Sequence, residues 1–364
     1  MSLHWAWSFG ASGGLQDYFD SGWDADTTGS LVNPNLSGSP LPRQPEGGSG
    51  GMTKGCGVFT GYFMHSPPFP RGALSDGQAQ YHWQHLNTNT GIRILRLLAA
   101  DGAYLLELRP TTNDNTSTLT VYSGEGVSAL TSRGTTTATV TEGQWHVIAV
   151  RFKKGTSGGE IAVSIDGVSE TIVSNGNTGV TSDWARIGCQ GGGSNWCYFT
   201  GITVWDDGPN DDALTVTRWI GTLRATSDDT DGSWLNESAS ATDLYLSTRE
   251  DPIDPTTTYC KTVTDPDEVR FGVDTTDATY GFGSSWSPDT VDGVSVSAFM
   301  QGDGGLMGGR TVIDDGVNNL QGTLATTGAG PSMGVSDTFA TQADGSSSWS
   351  KAALDSHTYG VRAS

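Results

Sequence analysis

Cysteine is scarce in this chain: four in 364 residues, at Cys56, Cys189, Cys197 and Cys260, too few and too scattered for a disulfide framework. Basic residues are scarce as well, 19 against 40 acidic ones, which leaves a net charge of −21 and a pI near 4.4. A chain of that sign is repelled by nucleic acid and by anionic lipid surfaces, and no basic stripe interleaved with aromatics offsets it. No apolar run approaches the roughly 18 residues that a membrane-spanning helix needs. G-x-S-x-G, P-loop and dinucleotide fingerprints are all missing, and the Gly191-Gly192-Gly193 and Gly304-Gly305 runs lie between strand patterns, where they read as turns.

What the chain does have is glycine and aromatics. Its 51 glycines come with twelve Trp, ten Tyr and eleven Phe at a hydrophobic content of 35%. Thin sheets with frequent turns suit that composition, because each aromatic buries a large area. Strand-like runs recur about every ten residues with turn signals between them, the all-β sandwich pattern. The clearest hairpin joins Ile92–Ala99 to Ala103–Leu108 through Asp101-Gly102. Strands are also expected over Cys56–Met64, Tyr81–Leu86, Ser117–Tyr122, Thr136–Thr141 and Gln144–Phe152. Residues 33–53, rich in Pro, Gly and Ser, read as a long loop, and contacts with another protein chain are expected there.

The stretch from Gly143 to Asp207 carries the most specific pattern. It runs through a Gln144-Trp145-His146 strand, an Ile165-Asp166-Gly167 turn, an Ile187-Gly188 pair and a Phe199-Thr200-Gly201-Ile202 strand that closes on acidic residues. In that order these pieces resemble the second half of the laminin-G/concanavalin-A-like jelly roll. The resemblance covers about residues 1–207 and implies a recognition domain, with the aromatic first strand (Trp5, Trp7, Phe9) beside the last. Residues 208–233 then read as a short helix over Asp211–Thr222 plus a polar linker. Residues 234–364 read as a second β-sandwich, for docking or oligomerisation, in which Thr242–Ser247 is a strand and Ser350–Ser356 a short helix or turn.

The jelly-roll resemblance implies two kinds of site. Calcium at the sandwich rim would draw on Asp206 and Asp207, with Asp20, Asp24, Asp26, Asp211 and Asp212 as further oxygen donors; the other reading of these acids is solvated loops. Sugar stacking would use exposed aromatics, for which Trp23, Tyr81 and Trp196 are the candidates; the other reading is that they cap the core. Cys189 and Cys197 flank a glycine-rich turn, and the pair reads either as buried thiols or as a disulfide across a hairpin. Catalysis has little to stand on. No Glu-x-Asp-x-Glu strand occurs, Glu268 with Asp265 and Asp267 looks like a turn, and His146 lacks the partners of a triad. His82 and His85 fall on opposite faces of a strand, which spoils a shared metal.

The Met1-Ser2-Leu3-His4-Trp5 opening, the jelly roll without a recognisable leader, the Thr217–Leu223 segment and the second Gly/Ser/Thr-rich sandwich together resemble structural proteins of tailed bacteriophages. That layout implies a non-enzymatic virion surface protein, made in the host cytoplasm and present in multiple copies. Its expected partners are other virion proteins and host-surface glycan. The alternative is a cellular glycan-processing enzyme or its carbohydrate-binding accessory module.

Overall fold

The computed structural model describes residues 3–7, 24–25, 56–58, 63–69, 71–85, 90–191, 197–206, 214, 223–230, 232–236, 238–248, 260–262, 266–277, 284, 290–301, 307–327 and 332–363. They separate into two compact units, those before residue 221 and those from 221 on. Of the expected site residues, Trp23, Trp196 and Asp207 lie outside the described set, as does the loop expected at 33–53. Of the helix expected over Asp211–Thr222, Leu214 alone is described, buried against Ala149 and Ala162.

In the first unit the strands are β1 (Leu3–Trp7), β2 (Asp24–Ala25), β3 (Cys56–Val58), β4 (Phe63–His65) and β5 (Asp76–His85). There follow β6 (Arg93–Leu98), β7 (Tyr104–Pro110), β8 (Thr116–Ser123), β9 (Thr131–Thr141) and β10 (His146–Lys153). Then come β11 (Gly159–Ile165), β12 (Val168–Gly176), β13 (Arg186–Gln190) and β14 (Cys197–Asp206). They form two antiparallel seven-stranded sheets. One runs β1-β14-β5-β10-β11-β12 with β3 also on β14, and the other runs β2-β4-β13-β6-β7-β8-β9. The fold is thus an all-β jelly-roll sandwich, and its first strand does lie beside its last, Trp7 opposite Ile202.

Strand alternation builds the core. Ile148, Val150 and Phe152 pair with Ile165, Val163 and Ile161 on the inner face of the first sheet, all buried. Leu95 and Leu97 pair with Leu108 and Leu106 on the inner face of the second, also fully buried. Tyr81, Ile187, Cys189 and Ile202 close the space between the sheets.

Two pieces of the sequence signature have a direct physical cause. Asp166 (φ 53°) and Gly167 (φ 81°) form the two-residue loop between β11 and β12, the left-handed pair that a tight hairpin requires. Gly188 lies where a Cβ would come 2.3 Å from the Met64 carbonyl oxygen and 2.5 Å from His65 Cδ2. Only glycine lets β4 approach β13 there.

Two expectations need correction. Cys56–Met64 is not one strand: β3 joins the first sheet and β4 the second. Cys189 and Cys197 do not face each other across a hairpin, because β13 and β14 belong to different sheets and no disulfide joins the two thiols.

The second unit holds β15 (Ala225–Thr230), β16 (Leu235–Asn236), β17 (Cys260–Lys261), β18 (Asp267–Val273) and β19 (Val294–Gln301). It continues with β20 (Met307–Asp314), β21 (Asn319–Gln321), β22 (Ala325–Thr327), β23 (Ser332–Phe339) and β24 (Thr358–Ala363). A six-stranded sheet, β15-β18-β24-β20-β21 with β22 on β20, packs beneath the β19–β23 ribbon. Phe339, Val294 and Val296 of the ribbon meet Ile313, Trp349 and Leu354, while Val269, Phe271 and Val361 pack on Trp234 and Leu244. Helix α1 (Lys351–Ser356) sits where a short helix or turn was expected, its first turn capped by the Ser350 hydroxyl, which accepts from the Ala353 N–H at 3.1 Å. Leu244–Thr248 is a 3-10 turn rather than the expected strand, its start held by Asp228, which accepts from the Leu244 and Tyr245 N–H groups at 3.0 and 2.7 Å.

Gly188→Ala should cost about 1–3 kcal/mol, the range for overpacking a tight site, since the nearest atom is backbone and cannot swing away. Urea unfolding of the variant beside wild type measures it; an unchanged midpoint would show that β4 and β13 are not packed as described.

Candidate functional site

The sheet that contains β6 and β7 has one apolar face turned to the core and an outer face of a different kind. Pairing aligns a row across five strands of it: His65 opposite Gly188, Gly188 opposite Arg96, Arg96 opposite Glu107, and Glu107 opposite Tyr122. Because Leu95, Leu97, Leu106 and Leu108 point inward, period two sends Arg96 and Glu107 outward. A register shift between Gly188 and Gln190 brings Arg93 onto the same face, opposite Gln190.

Glu107 is the hub of this face. Its side chain is 1% exposed, and Oε1 accepts from Arg96 Nε at 2.8 Å. Its Oε2 accepts from Arg109 Nε at 2.7 Å and lies 3.1 Å from Arg93 Nε. A carboxylate taken out of water is tolerable only when cations and hydrogen bonds surround it, and here three guanidinium groups do so. The guanidinium groups are fixed in turn. Arg96 lies 4.3 Å over the Tyr104 ring and donates to the Gln190 side chain, while Arg109 lies 4.2 Å over the Tyr122 ring. Burial, then the like charge of Arg109, lowers the pKa of Arg93 from its ordinary value.

His65 extends the row toward β4. Its ring stacks on Phe63 (4.4 Å) and meets Tyr104 edge-on (5.9 Å). Burial, then the charges of Arg96 and Arg186, pushes its pKa down to about 3, so it is a neutral imidazole. Its buried Nε2 has no hydrogen-bond partner, and neither does the buried Nε of Arg186. Arg186, two residues before Gly188 on β13, has no carboxylate partner among the described residues.

A second polar cluster closes one end of the sandwich. His146 Nδ1 donates to Asp166 Oδ2 at 2.7 Å, and Nε2 accepts from the Thr141 N–H at 2.8 Å. Asp166 Oδ1 accepts from the Val147 N–H at 2.8 Å. Burial pushes the Asp166 carboxyl up, but these bonds together outweigh it and hold the group below its ordinary value. With both ring nitrogens occupied, His146 clamps the end of β10 to the turn; it is a structural histidine. His85 stacks on Trp83 at 4.4 Å, and alternation carries His82 to the opposite face, so the two do not share a ligand.

Of the expected sugar-stacking residues, Tyr81 is a correction: it is 2% exposed, and its hydroxyl donates to the Ile94 carbonyl at 2.5 Å. It ties the two sheets together and presents no ring to a ligand. Asp206 ends β14, and among the described residues no group of three His, Cys, Asp or Glu side chains stands together to hold a metal ion. Glu268, whose neighbourhood was read as a turn, is in β18, where its carboxylate sits 3.4 Å from Arg270 Nε.

Sequence reasoning passed over the Arg–Glu–Tyr face. The signal was present: opposite charges inside apolar strands on the two sides of the Asp101-Gly102 turn, Arg96 in RILRLL and Glu107 in YLLELRP.

No protein-family model matches this chain, and no curated protein matches it either. Among solved structures it is similar to domain 4 of AbnA, a GH43 extracellular arabinanase from Geobacillus stearothermophilus, solved with arabinotriose. That likeness has 14% identity over 59% of this chain and 97% of the other, with a TM-score of 0.37. It is also similar to the globular domain of T. cruzi calreticulin, at 11% identity over 58% of this chain and 90% of that one, TM-score 0.40. A third likeness is to CG-16, a homodimeric agglutinin from chicken liver, at 11% identity over 42% of this chain and all (100%) of that one, TM-score 0.27.

Glu107→Gln should destabilise the first unit by about 2–4 kcal/mol, because the buried Arg96 and the partly exposed Arg93 and Arg109 would lose the anion they share. Chemical denaturation reads this, and a loss under about 1 kcal/mol would mean that water reaches the cluster.

Acid should weaken the fold in a set window. His65 and His85, held near 3 and 4 against an ordinary 6.5, stay neutral in the folded chain while the unfolded chain takes up protons. Stability therefore rises with pH between about 4 and 6.5, by up to about 1.4 kcal/mol per unit for each histidine, and this contribution is complete above 6.5. Urea midpoints at pH 4.5 and 7.5 test it; equal midpoints would contradict it.

Proposed function

We propose that this chain is a non-enzymatic surface protein whose first unit binds glycan on the outer face that carries Arg96 and Glu107. One observation carries the reading: a row of polar and aromatic side chains spans five strands and is held rigid by its own ion pairs and ring contacts. Sugars are recognised by planar hydrogen-bonding groups beside aromatic surfaces, and a face fixed beforehand loses little entropy on binding. Tyr104 and Tyr122 are each half-buried, with a guanidinium group beside the ring.

The non-enzymatic part has support of its own. Glycoside hydrolysis needs two carboxyl groups about 5–10 Å apart flanking the bond. Among the described strand residues of this sheet the carboxylates are Glu107, whose two oxygens are both committed to guanidinium groups, and Asp24 of β2, which stands opposite His65 at the end of the row. The alternative is a glycan-processing enzyme, and it is the reading that turnover would favour. Display on a phage virion, in several copies beside other virion proteins, with synthesis in the host cytoplasm and calcium at the Asp206–Asp207 rim, is supported by the sequence layout alone.

A glycan array followed by calorimetry on the full chain tests the proposal. At least one glycan should bind, with no new reducing ends or unsaturated products after prolonged incubation. A blank array would remove the glycan reading, and turnover would remove the non-enzymatic one.

A further inference from the structure

From the charge balance of the outer face we infer that its ligand is an anionic glycan, a polysaccharide bearing carboxylate or sulfate groups, held by Arg93, Arg109 and Arg186. This deepens the proposed function and rests on it. Among the described residues the face carries four guanidinium groups, those of Arg93, Arg96, Arg109 and Arg186, against Glu107 at its centre and Asp24 of β2, opposite His65 at the end of the row, an excess of two positive charges. The chain as a whole has 19 basic residues against 40 acidic ones, so a local surplus of that sign runs against its composition. Three of these guanidinium groups share the one charge of Glu107, and Arg186 has no carboxylate partner among the described residues.

The distribution of exposure fits a ligand rather than a core. Glu107 and Arg96 are 1% and 5% exposed and form the floor, whereas Arg93 and Arg109 are 20% and 24% exposed and reach solvent. Arg186 has a buried Nε without a hydrogen-bond partner, and His65, on the neighbouring strand, has a buried Nε2 without one. Buried polar atoms left unpaired cost free energy, and a ligand that supplies a donor to His65 and an acceptor to Arg186 removes that cost. A sugar acid does both, with hydroxyl donors and an oxyanion on one ring. Guanidinium forks match carboxylate and sulfate geometry, and they act most strongly where water is already excluded.

The test uses the full chain and four polymers: polygalacturonate for carboxylate, dextran sulfate for sulfate, arabinan as a neutral glycan, and polyglutamate as an anion without sugar. One or both of the first two should bind at least about tenfold more tightly than arabinan and polyglutamate, and raised salt should weaken binding. Which of the two wins assigns the oxyanion. Arg109→Gln and Arg186→Gln should each weaken binding about tenfold, roughly one charge-assisted contact. Arg186→Gln removes no described ion pair, so it keeps the test valid if Arg109→Gln disturbs folding. Equal binding of arabinan, unaffected by both variants, would overturn the anionic ligand and leave the glycan reading standing. Binding of polyglutamate as tight as that of the acidic glycans would overturn it as well, since the face would then read charge alone. No binding of any sugar would remove both.

Discussion

A carboxylate that water cannot reach has to be answered by cations, and the first unit is organised around that requirement at Glu107. Three arginines converge on it, and each is then anchored by something else, Arg96 and Arg109 by tyrosine rings. The convergence ties β6 to β7 on the outer face, as the paired leucines do on the inner one. It also overcompensates the charge, and the surplus gives the face its character.

The second unit solves the converse problem. There Arg270 stands among Asp229, Glu268 and Asp314, and Arg362 lies 4.0 Å from Glu268. Charges of both signs therefore meet across its six-stranded sheet, whereas on the first unit's outer face the described side chains gather cations around one carboxylate.

Local chemistry was readable in the sequence and partner choice was not. The Asp101-Gly102 and Asp166-Gly167 turns declare themselves because Gly102, Asp166 and Gly167 are left-handed, a conformation that glycine and aspartate tolerate, and Asp101 accepts from the Ala103 N–H within its own turn. The Ile187-Gly188 pair was visible as a motif, and its cause, the approach of His65, appears only in three dimensions. Residues 56–64 look like one strand because both sheets demand the same pattern of small and apolar residues, so nothing local says that β3 and β4 part company. Tyr81 was a fair candidate for a ligand platform until its hydroxyl was seen to reach the opposite sheet. Arg96 and Glu107 were hidden by their own surroundings, since charges amid leucines read as the polar half of an alternating strand. The bulges in β6 and β7 then offset the partners from simple hairpin symmetry.

The crossing from β13 to β14 places Cys189 and Cys197 as buried thiols in facing sheets. Burial pushes the Cys197 thiol up to about 12, so it stays protonated and shielded while the sandwich is closed. Cys260, half-buried in the second unit, reports separately. The molecule thus carries its own clock: the rate at which an alkylating reagent reaches Cys197 reports how often the sandwich opens around that thiol.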